Sequence, residues 1–326
     1  MSNETVRRIR AVAEATLIDT AWAQWTVLTA AALRADRRRA WTIVDPEALV
    51  LVSLAVGDRE RRLDDMVASW GTDAAHLMSM QRMRTLASRF PAAVRERIGL
   101  FTEPAIVGGD KRWKRLEVTP PANAYSPRSK PIGELGLVEG PALTLRLRAG
   151  FGVNAKADVL SLLIGFAGAA ADLKVIAAAT AYTERAVRTA TEEMTLAGFI
   201  HEIEGRPSSF YAEPEAWGRV LRTPRKDRKA TGAASALPKW RFWAAVYAFL
   251  ARVAEWADAA EREGWSAYVA SSRARDMVDG HRRQLRQAQV RLPSAPPAHG
   301  TEFLDDFEHL VRRIGTWANE GLYGPE

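Results

Sequence analysis

The chain contains no cysteine, which excludes disulfides, thiolate metal sites and a cysteine nucleophile. It also lacks any stretch approaching the roughly 20 apolar residues a membrane span requires. Its opening MSNETVRRIR has no apolar core of the signal-peptide kind. A soluble, cytoplasmic protein with no membrane partner is therefore expected. Alternating runs rich in Val, Ile and Thr are scarce, whereas Ala, Leu, Arg, Glu and Trp are plentiful, so helices should dominate.

Signatures of chemistry are missing as well. None of the five histidines (76, 201, 281, 299 and 309) forms HExxH or another metal spacing, and no GxSxG occurs. Gly108-Gly109 and Gly150-Phe151-Gly152 lack the Lys-Ser/Thr or strand-to-helix context of a phosphate cradle. Asp64 and Asp65 diverge by about 100° on a helix and read as solvated surface. The cluster Asp305, Asp306, Glu308 and His309 reads the same way, and His201 reads as a partly exposed strand residue. No catalytic residue, metal or cofactor is expected, and the chain is not read as an enzyme.

What is present is a basic, ordinarily hydrophobic composition. The formal charge of +7 and a pI near 9.8 favour a polyanionic partner, and 47% hydrophobic with 26% charged residues excludes a largely disordered chain. At 326 residues, two or three domains are expected.

Residues 1–107 read as a helical domain. Val6, Ile9, Ala13 and Leu17, then Trp22, Trp25 and Leu28, suit one long amphipathic helix or two consecutive ones. Asp45-Pro46 suits a cap and first-turn proline for ALVLVSLAV. RRLDDMVASW and SMQRMRTLASRF suit two more helices, separated by a turn at Gly71-Thr72-Asp73, with Ser79 as a cap. A second, degenerate helix-turn-helix stays open over 46–101, with Gln81, Arg82 and Arg84 outward.

Residues 108–141 read as a linker rich in Gly and Pro, and LTLRLR at 143–148 as a half-buried strand. A basic linker is expected at 222–238, where RTPRKDRK carries five basic residues and one acidic. A helical C-terminal domain follows at 239–326. Its amphipathic stripes run through Phe242, Val246, Phe249, Val253 and Trp256 and through Phe303, Phe307, Leu310, Ile314 and Trp317, with a polar helical stretch from about Trp265 to Arg291 between them. Of the 11 tryptophans, Trp22, Trp25, Trp243, Trp256 and Trp317 fall on such stripes, which favours core or dimer packing over ligand caging.

Between the flanks, residues 142–221 carry the functional reading. A helix capped near Asn154 buries Val159, Leu162, Leu163 and Phe166. A short helix with Leu173, Val175 and Ile176 follows. Thr183 then caps a third helix with Val187, Ala190, Thr191 and Met194 inward and Arg185, Arg188, Thr189 and Glu192 outward. Gly198 ends that helix, and FIHEIE-GRPSS-FYAE reads as a hairpin with Arg206 and Ser208 in its turn.

The segment TERAVRTATEEMTLAGFIHEIEGRPSSFYAEPEAW resembles the recognition helix and wing of bacterial winged-helix regulators of the MarR-like and PaaX-like kind. Thr183, Val187, Met194, Gly198 and Ile200 occupy the positions of their (S/T)xxxVxxxxxxLxxxGxI pattern, with Met194 in place of the Leu. The resemblance covers residues about 154–214. It implies a mainly α protein with a central winged helix-turn-helix and a small β-hairpin wing.

It further implies a sequence-specific double-stranded DNA-binding transcription regulator, read as a repressor, acting as a homodimer paired through the long terminal helices. Arg185, Arg188 and Thr189 suit base edges, and Thr183, Arg206, Ser208, Arg222, Arg225 and Lys226 suit the backbone. The recognition helix itself nets −1 (Arg185 and Arg188 against Glu184, Glu192 and Glu193), so a protein-protein interaction subunit, antitoxin-like or a complex scaffold, stays as the alternative. A small-molecule effector or a protein partner also stays open.

Overall fold

The computed structural model describes residues 2–29, 40–116, 131–221, 237–292 and 300–322. These are mainly helical, with one small three-stranded antiparallel sheet. A single helix α1 (Ser2–Leu28) opens the chain, and Val6, Ile9, Ala13, Leu17, Trp25 and Leu28 form its buried stripe. The next helix, α2 (Pro46–Val56), is apolar all round apart from Glu47 and Ser53 and is buried on nearly every side, as such a helix must be. Asp45 caps it, accepting the Ala48 N–H at 3.2 Å.

Helices α3 (Arg61–Ala74), α4 (Met80–Ala87), α5 (Ala92–Glu96) and α6 (Gly99–Val107) pack around α2 and one another. The turn expected at Gly71-Thr72-Asp73 is absent, because α3 continues through it. Gly71 serves contact rather than a turn: a Cβ there would stand 2.5 Å from the Phe101 carbonyl oxygen of α6. Ser79 caps α4 as expected, accepting the Arg82 N–H at 3.3 Å.

The expected strand at 143–148 is a helix, α7 (Leu143–Phe151). Its alternating leucines serve two cores: Leu145 joins the cluster of α1–α6, while Leu143 and Leu147 join that of the following helices. A helix apolar on two sides imitates the period of a strand.

After α7 come α8 (Ala155–Gly165), β1 (Ala171–Asp172), α9 (Leu173–Thr180), α10 (Glu184–Leu196), β2 (His201–Ile203), β3 (Ser209–Tyr211) and α11 (Pro214–Val220). The sheet order is β1-β3-β2, with Phe210 paired to both Ala171 and Glu202.

The chain closes with α12 (Trp243–Glu263), α13 (Ala267–Gln287) and α14 (Phe303–Glu320). In space, α12 and α14 lie along α1, and one hydrophobic cluster runs from Val6 to Ala318. The flanks at 1–107 and 239–326 thus share a core. Gln24 Nε2 donates to the Tyr247 hydroxyl at 2.7 Å across α1 and α12, and Trp25 meets Trp70 edge-on at 5.1 Å. The apolar stripes of the long terminal helices are therefore covered within the same chain. No helix among the described residues is long and apolar enough to cross a membrane.

Candidate nucleic-acid interface

Helix α10 is held by both ends. Ala181, in the left-handed region at φ 58°, turns the chain out of α9, and buried Tyr182 anchors the turn. Thr183 then caps α10, its hydroxyl accepting the Ala186 N–H at 3.2 Å. At the far end Gly198 takes φ 73°, a backbone favouring glycine. Its N–H reaches the Thr195 carbonyl at 3.0 Å, and the Phe199 N–H reaches Met194 at 2.9 Å, closing the last turn.

Between those ends the two faces separate as the periodicity requires. Val187, Ala190, Thr191 and Met194 are buried, and Arg185, Arg188, Thr189 and Glu192 are exposed. The guanidinium groups of Arg185 and Arg188 make no hydrogen bond or ion pair with the described residues. Arg206 is exposed in the turn between β2 and β3, where Ser208 is half-buried. Trp217 of α11 donates its indole N–H to the Phe199 carbonyl at 3.1 Å, fixing the base of the hairpin. His201 lies on the exposed strand β2, stacked on Tyr211 at 5.1 Å. Arg222, Arg225 and Lys226 lie outside the described residues.

An open groove of about 520 Å³ separates the start of α8 from the outer face of α10. Asn154, Lys156, Thr183, Arg185, Thr189 and Glu193 line it, and Lys156 pairs with Glu193 across it. Hydroxyls and cations at the first turns of two helices suit oxyanions or base edges. The charge balance around them is less favourable. Residues 142–221 carry eight basic and nine acidic side chains. Of the 46 Lys and Arg, 11 lie outside the described residues, and of the 39 Asp and Glu, four do, so the described part holds 35 of each. The whole excess of +7 belongs to the remaining segments, among them Arg37–Arg39 and RTPRKDRK.

Beneath α10 lies an arrangement that the sequence reading missed. Arg82 is not outward: it is 1% exposed, while its neighbours Gln81 and Arg84 are exposed as expected. Its guanidinium donates to Glu47, to Asp45 Oδ2 at 2.7 Å and to the Thr180 carbonyl at 2.7 Å. Arg148 of α7, equally buried, makes a two-pronged contact with Asp158 at 2.7 and 3.0 Å. It makes another with Glu47 at 2.6 and 3.0 Å and also reaches the Leu77 carbonyl at 3.0 Å. The Tyr182 hydroxyl donates to Asp158 Oδ2 at 2.9 Å and lies 3.3 Å from the Ser79 hydroxyl.

Three carboxylates and two guanidiniums thus join α2 and α4 to α7, α8 and the turn before α10. Burial pushes the Glu47 carboxyl up, yet the attraction of Arg148 and Arg82 outweighs it and holds it below its ordinary value. Burial and then Asp158 push the Tyr182 phenol above its ordinary range, so it stays a donor. Two sequence signals precede the cluster: an acidic pair, Asp45 and Glu47, opening an otherwise apolar helix, and arginines placed among the leucines of LTLRLR.

No family model matches the chain, and neither a curated protein nor a solved structure matches it.

The acidic candidates set aside as solvated surface divide in two. Asp64 is buried instead, 2.5 Å from the Arg97 guanidinium, and burial raises its pKa to about 6 despite that partner. Glu308 is engaged by Arg8 at 3.0 Å and Arg312 at 2.7 Å. Among the described residues no group of three His, Cys, Asp or Glu is placed to hold a metal ion.

Proposed function

We propose that residues 142–221 form a winged helix-turn-helix and that the chain binds double-stranded DNA as a transcription regulator, with repression as its mode. The observation that carries this reading is the outer face of α10, where Arg185, Arg188 and Thr189 stand exposed and unengaged by any other described residue, with an antiparallel hairpin following. A lone helix fits the major groove with its first turns against base edges, and a hairpin at its flank reaches the adjoining backbone or minor groove. Arg185 and Arg188 suit guanine edges, Thr189 a thymine methyl, and Thr183, Arg206 and Ser208 the phosphates. Because residues 142–221 carry no net positive charge, the attraction comes from the basic segments outside it, Arg222, Arg225 and Lys226 foremost.

Anisotropy titrations of the full chain with genomic DNA fragments test this. Affinity should fall by a factor of about 10³ or more between about 50 and 200 mM salt, and should collapse when Arg185→Ala and Arg188→Ala are combined. Salt-insensitive binding, or none, refutes the reading. A palindromic operator also calls for a homodimer, which light scattering on the free protein checks.

One observation favours the alternative, a protein-protein interaction subunit. Leu196 is 90% exposed at the end of α10, with Phe199 exposed three residues on and Val220 exposed at the end of α11, on a module that carries no net positive charge. That reading predicts stable co-purification with a second protein and indifference to the two arginine substitutions.

A further inference from the structure

From Ala74 to Arg95 and from Lys111 to Leu116 the chain holds no acidic residue. The second stretch contains KRWKR (Lys111–Arg115), a 3-10 turn in which every third side chain shares an edge. One edge, Asp110, Trp113 and Leu116, faces the protein. Trp113 is 1% exposed and meets Phe101 of α6 edge-on at 4.7 Å, and its two edge-mates are half-buried. The other two edges carry Lys111 with Lys114 and Arg112 with Arg115, all exposed. An anchored indole thus holds four cations outward.

This turn is fixed against the outer face of α4. Exposed Arg84 of α4 donates to the Arg115 carbonyl at 3.3 Å, and Arg112 donates to the Ala75 carbonyl at 3.4 Å, next to exposed His76. Among the described residues Asp110 alone pairs with any of these cations. It is spent on Arg112 at 2.9 and 2.7 Å and on the Trp113 indole at 3.2 Å. Arg84, Lys111, Lys114 and Arg115 have no ion-pair partner among the described residues. Charge over the described residues balances, so the excess here is local.

We propose that Arg84, Lys111, Lys114 and Arg115 form a second DNA contact that grips the phosphate backbone without reading sequence. Uncompensated cations on a rigid base release counterions from phosphates, whereas base reading needs a helix or ribbon in a groove, which so short a turn does not offer. Trp113, the aromatic of the turn, faces inward, so the turn presents charge and no side chain to insert into a membrane. The contact deepens the function proposed above and rests on it for the identity of the polyanion. It supplies attraction that residues 142–221, with eight basic and nine acidic side chains, lack. Helix α4 joins the two surfaces, since Arg82 holds the Thr180 carbonyl before α10 while Arg84 holds the turn.

Anisotropy of labelled alternating A·T and G·C duplexes, titrated with the full chain at several salt concentrations, is the test. Combining Lys111→Gln, Lys114→Gln and Arg115→Gln should lower affinity about tenfold or more on both duplexes and flatten the slope of log K against log salt by about three. Arg84→Gln alone should flatten it by about one. Removing three exposed charges elsewhere, with Arg286→Gln, Arg291→Gln and Arg313→Gln, should leave the slope unchanged. A turn variant with the control's slope overturns the contact, and so does a loss confined to one duplex. If Arg185→Ala with Arg188→Ala leaves binding intact while the turn variant loses it, the contact stands and the α10 reading falls. The opposite pattern keeps the α10 reading and rejects the contact. A wild type that binds neither duplex overturns both, whether or not it binds phosphatidylserine vesicles.

Discussion

Two pairs of arginines in this chain meet opposite fates. Arg82 and Arg148 are withdrawn from water and saturated by Asp45, Glu47 and Asp158, while Arg185 and Arg188, on α10, are exposed and engage nothing among the described residues. The first pair ties down the turn that leads into α10; the second, under the proposed function, is what α10 offers to DNA. A buried guanidinium whose partner is removed leaves an uncompensated charge, whereas an exposed one is simply rehydrated. The same residue type thus stands under two kinds of solvation, and substitutions should separate a positioning role from the proposed recognition.

The largest effect is expected at Arg148. Arg148→Ala strands Glu47 and Asp158 and should cost about 3–5 kcal/mol of stability, measured by urea denaturation. A loss below about 1 kcal/mol would erase the contrast between the pairs. Next, Arg185→Ala with Arg188→Ala should lower DNA affinity on the order of 10²-fold while leaving stability within about 0.5 kcal/mol.

A third test lies between these extremes, at a buried carboxylate whose neighbours do not compensate it. Glu47, held by two guanidiniums, stays below its ordinary pKa, but Asp64, held by Arg97 alone and repelled by Asp58, is raised from 3.8 to about 6 by burial. The folded state therefore holds the Asp64 proton more tightly than the unfolded one. The stability this confers is full below about pH 4 and lost as pH rises through about 6. Asp64→Asn should accordingly gain on the wild type across that window, by on the order of 1–2 kcal/mol at neutral pH, in denaturation curves taken at several pH values. The smallest effect belongs to the cap: Thr183→Ala should cost about 1 kcal/mol and fray the first turn of α10, visible as faster amide exchange at Ala186.

Much of the local architecture was legible in the sequence. The caps at Asp45, Ser79, Asn154 and Thr183, the inward and outward faces of α10 and its termination at Gly198 follow from hydrogen-bonding groups and spacings within a few residues. The strand expected at 143–148 misled because period two also arises when a helix lies between two cores, as α7 does. The break expected at Gly71 misled because a glycine serves a close helix crossing as readily as a turn.

The outward Arg82 has the deepest cause. Residue type alone says that arginine prefers water, and on an isolated α4 it would face water. It turns inward only because Asp45 and Glu47, 37 and 35 residues earlier, and the Thr180 carbonyl, 98 residues later, converge on it. The sequence by itself determined which residues start, stop and line the helices, since those choices are settled within a turn. Only the tertiary structure decided which arginines are foundations and which are free, since the desolvation of a charge is offset by partners that chain order keeps far apart.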